Sequence, residues 1–331
     1  MVDTESRGPL TDKPRWSHRK KWAVVTLCLA GVTVLVLVAL PYFTAGDSRS
    51  RPTVSTGAEP TAEPPRRLSL TLMTLNVAHG RRDGAHQLLQ STATIRSNLD
   101  EIAGMIRRES PDVVALQEAD GPSFWSGNFN HVESLADAAG LCSFVRAEHV
   151  KGLKLSYGTA LLSHRRLGDT TAYTFAPTPP TLSKGFLLST LSLSGKPPQA
   201  LDLVSVHLDF SSHDNRVSQV AEMIAALQER ENPLIVMGDF NCGWADQGSP
   251  LKTLADALGL VTHEPALSSL ATFPSSGRRL DWILVSRGIE ITSYTVLPDI
   301  LSDPLAVMAR VTITPKDLKH ARQDSNLRPA D

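Results

Sequence analysis

"LIVMGDFN", Leu234 to Asn241, is the stretch on which the reading of this 331-residue chain turns. Four apolar residues predict a strand, and an acid and an amide stand where that strand ends. Upstream lies "NRVSQVAEMIAALQERENP", Asn215 to Pro233, an amphipathic helix stopped by Asn-Pro, and before it the strand "ALDLVSVHLD", Ala200 to Asp209. The same order occurs earlier. "LSLTLMTLNV" (Leu68 to Val77) is a buried strand, "STATIRSNLDEIAGMIRRESP" has apolar residues at helical spacing closed by Pro111, and "DVVALQEA" (Asp112 to Ala119) is a second strand. Asn76 and His207 are about 130 residues apart, and Glu118 and Asp239 about 120, so the chain reads as a duplicated strand, helix, strand unit. Two such units packed face to face predict an α/β fold, a four-layer α/β sandwich of two packed mixed sheets flanked by helices. "KLSYGTALLS", "GFLLSTLSLSG", "RRLDWILVS" and "LAVMARVTI" supply further strands.

The first fifth of the chain has a different texture. Residues 1–21 end in the basic run "KPRWSHRKK", and "WAVVTLCLAGVTVLVLVALPYF", Trp22 to Phe43, carries no charge. As a helix those residues span roughly 33 Å, enough to cross a bilayer, and they are longer than the apolar core of a cleaved signal peptide. We expect one transmembrane helix over 22–43, with residues 1–21 cytoplasmic and everything after Phe43 outside the cytoplasm. A cleaved export signal leads to the same compartment. Residues 44–67, rich in Pro, Ser, Thr and Gly, read as a flexible linker. The main domain is expected over 68–315, and the polar, aperiodic residues 316–331 as a disordered tail.

Three cysteines, Cys28, Cys142 and Cys242, make no disulfide framework, although a Cys142 to Cys242 bridge stays open. Between Leu68 and Pro315 there are 19 Lys and Arg against 25 Asp and Glu, a formal charge of −6. An acidic domain is a poor non-specific binder of nucleic acid, which depends on cationic contacts to phosphates.

Polar residues stand at the ends of the apolar strands: Asn76, Glu118, His207, Asp209, Asp239, Asn241, Asp281 and Asp303. One alone is more often a turn or cap residue. Eight, mostly acids and amides, point to oxygen ligands for a hard cation such as Mg²⁺.

The segments "TLNVAHG", "PDVVALQEAD", "SYGTALLS", "VSVHLD", "IVMGDFN", "ATFPSSGRRLDWILVS" and "LSDPLAV" follow the order of the endonuclease/exonuclease/phosphatase superfamily, which the chain resembles over roughly Leu68 to Thr314. That group includes deoxyribonucleases, inositol polyphosphate phosphatases and neutral sphingomyelinases. The resemblance implies a metal-dependent phosphodiesterase or phosphatase using Mg²⁺, or Mn²⁺. Glu118 would be the principal metal ligand, with Asn76 and Asp303 near the ion. Asp239 would orient or deprotonate the attacking water, Asn241 would hold the water and a phosphoryl oxygen, and His207 would donate to the phosphate. Asp281 would orient a histidine following the last aspartate.

That histidine is absent, because "LSDPLAV" carries Pro304 in its place. Proline has neither a side-chain donor nor an N–H. Losing a positioned acid or base costs about 10² to 10⁴ in rate. Three readings stay open. Another group (His79, His213, Arg278 or Arg279) fills the gap, or the domain binds a phosphoester or lipid headgroup without cleaving it, or the codon is in error. Retained hydrolysis is the preferred reading. His79 and His86 otherwise read as surface residues, Arg216 and Gln219 as a solvated helix face, and His207 with His213 as a zinc pair lacking a third ligand. Arg278 and Arg279 would reach substrate phosphate or pair with Asp281. The expected substrate is a small phosphoester or a phospholipid headgroup at the membrane, ahead of nucleic acid.

Overall fold

The computed structural model describes residues 49–50, 53–56, 68–84, 86–152, 154–193 and 199–314. In chain order the elements are β1 (Arg49–Ser50), β2 (Thr53–Thr56), β3 (Leu68–Asn76), α1 (Thr92–Glu109), β4 (Val113–Asp120), α2 (His131–Ala139), β5 (Ser143–Arg146), β6 (Val150–Gly152), β7 (Leu155–Ser163) and β8 (Leu167–Thr174). Then follow β9 (Gly185–Leu193), β10 (Gln199–His207), α3 (His213–Leu227), β11 (Leu234–Asp239), α4 (Pro250–Leu258), β12 (Leu260–Val261), β13 (Asp281–Ser286), β14 (Ile289–Val296) and β15 (Val307–Ile313).

The strands form two mixed sheets, ordered β1-β8-β9-β10-β11-β13-β12 and β14-β15-β3-β4-β7-β5-β2, with β6 on β7. Two pairings are parallel, β3 with β4 and β10 with β11, each joined through a helix. The duplicated unit is therefore present in space. The inner faces interdigitate through Leu72, Val113, Leu161, Leu203, Ile235 and Ile283, all fully buried. α1 and α2 cover the outer face of one sheet, and α3 and α4 that of the other. Each fully buried aliphatic contributes about 1.5 to 3 kcal/mol, so these three apolar layers hold the sandwich together.

Local chemistry sets the helix limits. α1 buries Ile95, Leu99, Ile102 and Ile106 at helical spacing, starts where Ser91 Oγ accepts from Thr94 N–H, and ends at left-handed Ser110 before Pro111. α3 starts two residues before the expected Asn215, because Ser212 caps it, and ends at Leu227, short of the expected Pro233. Past Leu227, Arg230 and Asn232 both donate to the buried Asp202, drawing the chain toward β11.

Part of the expected linker is ordered strand. β1 pairs with Ala172 and Tyr173 at one sheet edge, and β2 with Ser143 to Arg146 at the edge of the other. Backbone groups make these pairings, and composition does not reveal them. The segment expected to cross a membrane, the rest of the linker and the tail lie outside the described residues. Among the described residues no helix is long and apolar enough to cross a membrane. Cys142 and Cys242 are unbridged, one exposed and one buried.

Candidate active site

One register row of the first sheet carries much of the chemistry. Gly185 pairs with His207, His207 with Asp239, and Asp239 with Asp281. Lys184, Asp239, His207 and Asp281 thus gather at one end of three adjoining pairings. Gly238 is required there, since its φ is +153° and a Cβ would meet the Val206 carbonyl oxygen at 2.0 Å.

The second sheet contributes Asn76, at the end of β3, and Glu118. The β4–β7 register shifts between Leu116 and Ala119, and Glu118 has a φ of +49°. This bulge re-aims its side chain at the cost of backbone strain. Gln117 Nε2 donates to Ser205 Oγ at 3.1 Å, and Ser205 Oγ to the Leu116 carbonyl at 3.0 Å, pinning the sheets together beside the site.

Between these rows lies a cavity of about 310 Å³ lined by Asn76, Glu118, His207, Asp239, Asn241, Asp281 and Asp303, seven of the eight strand-end residues singled out from sequence, with Arg81, Phe210 and Pro304 also in its wall and Asp209 outside it. Asn76 Nδ2 donates to Asp239 Oδ2 at 3.1 Å, and the Asn241 N–H to Asp239 Oδ1 at 3.0 Å. His207 Nε2 lies 3.7 Å from Asp239 Oδ2 and 3.9 Å from Glu118 Oε1. Asp303 is ion-paired with Arg81.

The carboxyl groups are driven apart in acidity. Burial alone would raise Glu118, but the charges of His79, Lys184 and Arg81 prevail and hold it below the usual range. Burial pushes Asp239 up to about 6, with the Glu118 charge adding to it. Burial, then the nearby Asp239 charge, holds Asp281 well above the ordinary carboxylate range despite the Thr272 hydrogen bond. Burial and then Lys184 keep His207 well below its ordinary value, so its ring is neutral near pH 7.

Several residues are not where the sequence reading put them. His79 is not a surface residue; it is buried, with Nδ1 2.7 Å from Asp120 Oδ1 and Nε2 3.3 Å from Glu118 Oε2. Burial lowers its proton affinity, but Glu118 and Asp120 outweigh that and raise it. Asp120 also accepts from Trp125 Nε1 at 2.8 Å and from Ser126 Oγ. Gln219 is buried and accepts the Asp209 N–H at 2.8 Å, so it is not on a solvated face. Arg216 likewise donates to the Asp209 carbonyl at 2.9 Å. Asp209 serves its own loop, accepting from Thr181 and Ser211. Arg278 pairs with Asp246, and Arg279 stacks on Trp282 and Tyr294, so neither arginine faces the cavity. His213 Nε2 lies toward Gly248.

Lys184 is a site neighbour that the strand-end pattern does not reveal. Its Nζ lies 3.6 Å from Glu118 Oε1 and 3.2 Å from His207 Nε2. The available signal was "SKGF" opening an antiparallel strand, whose start falls beside the end of β10.

Among the described residues no group of three or more His, Cys, Asp and Glu is arranged to hold a metal by itself. A magnesium ion does not require one, since it commonly keeps several waters and takes one or two carboxylates plus substrate oxygens. Glu118 suits that pattern, being ionised, 18% exposed and directed at the cavity. Asn76 meanwhile spends its amide on the Ala78 N–H and Asp239, and Asp303 is engaged by Arg81.

The fold and this cavity define a class, and the sequence places the chain in it. Residues 73–303 match the Endonuclease/Exonuclease/phosphatase family, and the chain belongs to that family. Among solved structures, a family member from Beutenbergia cavernae superposes with a TM-score of 0.58 at 17% identity, over 74% of this chain and 72% of that one. A mannosyl-6-phosphatase from Bacteroides thetaiotaomicron gives 0.53 at 16% identity, over 73% and 99%. D. rerio TDP2, complexed with a single-strand DNA product, gives 0.52 at 15%, over 73% and 98%. No curated protein matches the sequence.

Proposed function

We propose that this chain is a Mg²⁺-dependent phosphoesterase, anchored by Trp22 to Phe43 with its main domain outside the cytoplasm. The observation that carries the reading is the convergence of Glu118, Asn76, His207, Asp239 and Asn241 on one cavity, with the Lys184 ammonium set against Glu118 and His207. Phosphoryl transfer to water needs a positioned water, a base and donors for developing charge. A magnesium ion held by Glu118, with Mn²⁺ an acceptable replacement, would neutralise phosphoryl oxygens when bound.

The chain's own groups do the rest. Asp239 accepts the water's proton; its carboxylate is fixed by Asn76 on one oxygen and the Asn241 backbone on the other. Neutral His207 and the Lys184 ammonium supply donors beside the phosphate. Lys184 thereby offers a donor of a kind the missing histidine would have given, although from its place beside His207 and Glu118.

A small phosphoester or phospholipid headgroup is favoured over nucleic acid by the domain's net charge and the tether to a bilayer. The mannosyl-6-phosphatase among its structural neighbours supports a small substrate, and the DNA-bound TDP2 keeps nucleic acid as the competitor to test. Pro304 in the cavity wall supports a second reading, a phosphoester- or headgroup-binding module without turnover. The deciding experiment gives the full chain a headgroup phosphodiester, a sugar phosphate and single-stranded DNA, each with Mg²⁺ and with EDTA. EDTA-sensitive release from either small substrate supports the hydrolase; binding without release supports the module.

A further inference from the structure

The register row ends in an unsatisfied acceptor. Asp281 is fully buried in the cavity wall. Its Oδ2 accepts from Thr272 Oγ1 at 2.7 Å, whereas Oδ1 has no hydrogen-bond partner among the described residues. The neighbouring backbone donors are committed elsewhere. The Asp281 N–H goes to Thr272 Oγ1, the Leu305 N–H to the Thr272 carbonyl, and Pro304 has no N–H to give. The adjoining wall, Phe273, Leu280 and Pro304, has no polar side chain. A buried carboxylate oxygen is rarely left without a donor, and such an atom calls for an external partner.

We propose that Asp281 Oδ1 is a ligand-binding atom, and that the seat beside Pro304 takes an N–H or O–H donor carried by the substrate itself. This rests on the phosphoesterase reading of the cavity. Asp281 neighbours Asp239 across the strand pair, where opposed side chains start about 5 Å apart. The donor must therefore sit within a few bonds of the phosphorus. That selects amino-alcohol and polyol phosphoesters over simple alkyl phosphates. Burial, then the nearby Asp239 charge, raises the proton affinity of Asp281, and no donor on Oδ1 offsets them.

The test is calorimetric binding to the full chain in EDTA, where turnover does not intrude. The probes are 2-aminoethyl phosphate, glycerol 3-phosphate and ethyl phosphate, the last lacking a donor. The seat predicts that one or both donor-bearing probes bind at least about tenfold tighter than ethyl phosphate, in line with the cost of leaving a buried acceptor unpaired. Whichever is tighter shows whether an ammonium or a hydroxyl is the partner. Pro304→His, which fills the seat with an imidazole from within, should bring the ratio near one. Asp281→Asn should lower it, and Ser302→Ala, outside the cavity wall, should leave it unchanged. Equal affinities in the parent, no binding of any probe, or a ratio that survives Pro304→His overturns the proposal. Mg²⁺-dependent turnover is scored separately. Preference without turnover keeps the seat and contradicts the hydrolase, and turnover without preference does the reverse.

Discussion

The Lys184 ammonium lies 3.2 Å from Nε2 of His207, brought there because Gly185 is the register partner of His207. A cation on the residue before one strand and a neutral imidazole at the end of its neighbour thus sit side by side next to Glu118. Replacing Lys184 with Met should therefore cut turnover of a phosphodiester by about 10² to 10³, the usual loss for one positioned electrostatic donor. Steady-state kinetics with the purified full chain would show it. An unchanged kcat would remove Lys184 from the site's chemistry.

The elevated Asp239 sets an acid limit. A base that must be ionised works above its pKa, so kcat/KM should rise with pH through an apparent value near 6 and level off above it. A bound cation would move the limb downward, so the apparent value should fall as Mg²⁺ is raised. A profile that is flat from pH 4.5 to 7.5 at low Mg²⁺ would contradict the assignment of Asp239.

His79 and Asp120 form a buried pair behind Glu118. Asp120→Ala should cost about 3 to 5 kcal/mol of unfolding free energy near pH 6, because it strands an imidazolium and two further donors. The sign with pH follows from the raised histidine. Its contribution is fully present below about 6.5 and is lost as pH climbs through the folded-state value, so the variant's deficit should shrink at higher pH. Urea unfolding at a series of pH values measures this.

Gly238→Ala should be severe. The added Cβ meets a backbone carbonyl of the paired strand, next to the end of a parallel pair, and a backbone carbonyl cannot rotate away. A loss above about 2 kcal/mol is expected, with activity falling alongside because Asp239 is the next residue. A melting curve matching the parent would refute this close approach.

Much of this architecture was legible because two strand, helix, strand units left clean periodicities and polar residues at strand ends. Asn76, Glu118, His207, Asp239, Asn241, Asp281 and Asp303 stand out that way and line the cavity, whereas Asp209, picked by the same rule, serves its own loop. What was not legible depends on tertiary placement. Lys184 precedes a strand instead of ending one, and only the antiparallel pairing of β9 with β10 carries it to the site. His79 follows a strand by a few residues in a glycine-containing loop, and its left-handed backbone, φ +55°, turns it inward to Asp120. Gln219 has helix-surface chemistry, but its face meets the loop that Asp209 organises. The short β5, β6 and β12 carry too few residues for alternation to register, and their partners define them.

The most direct test of the central claim is turnover of bis(4-nitrophenyl) phosphate by the full chain with Mg²⁺, beside Glu118→Gln, which keeps the shape and removes the charge. The account predicts measurable turnover in the parent, abolished by EDTA and reduced at least about 10²-fold in the variant. Equal turnover in parent and variant, or turnover indifferent to EDTA, would contradict it.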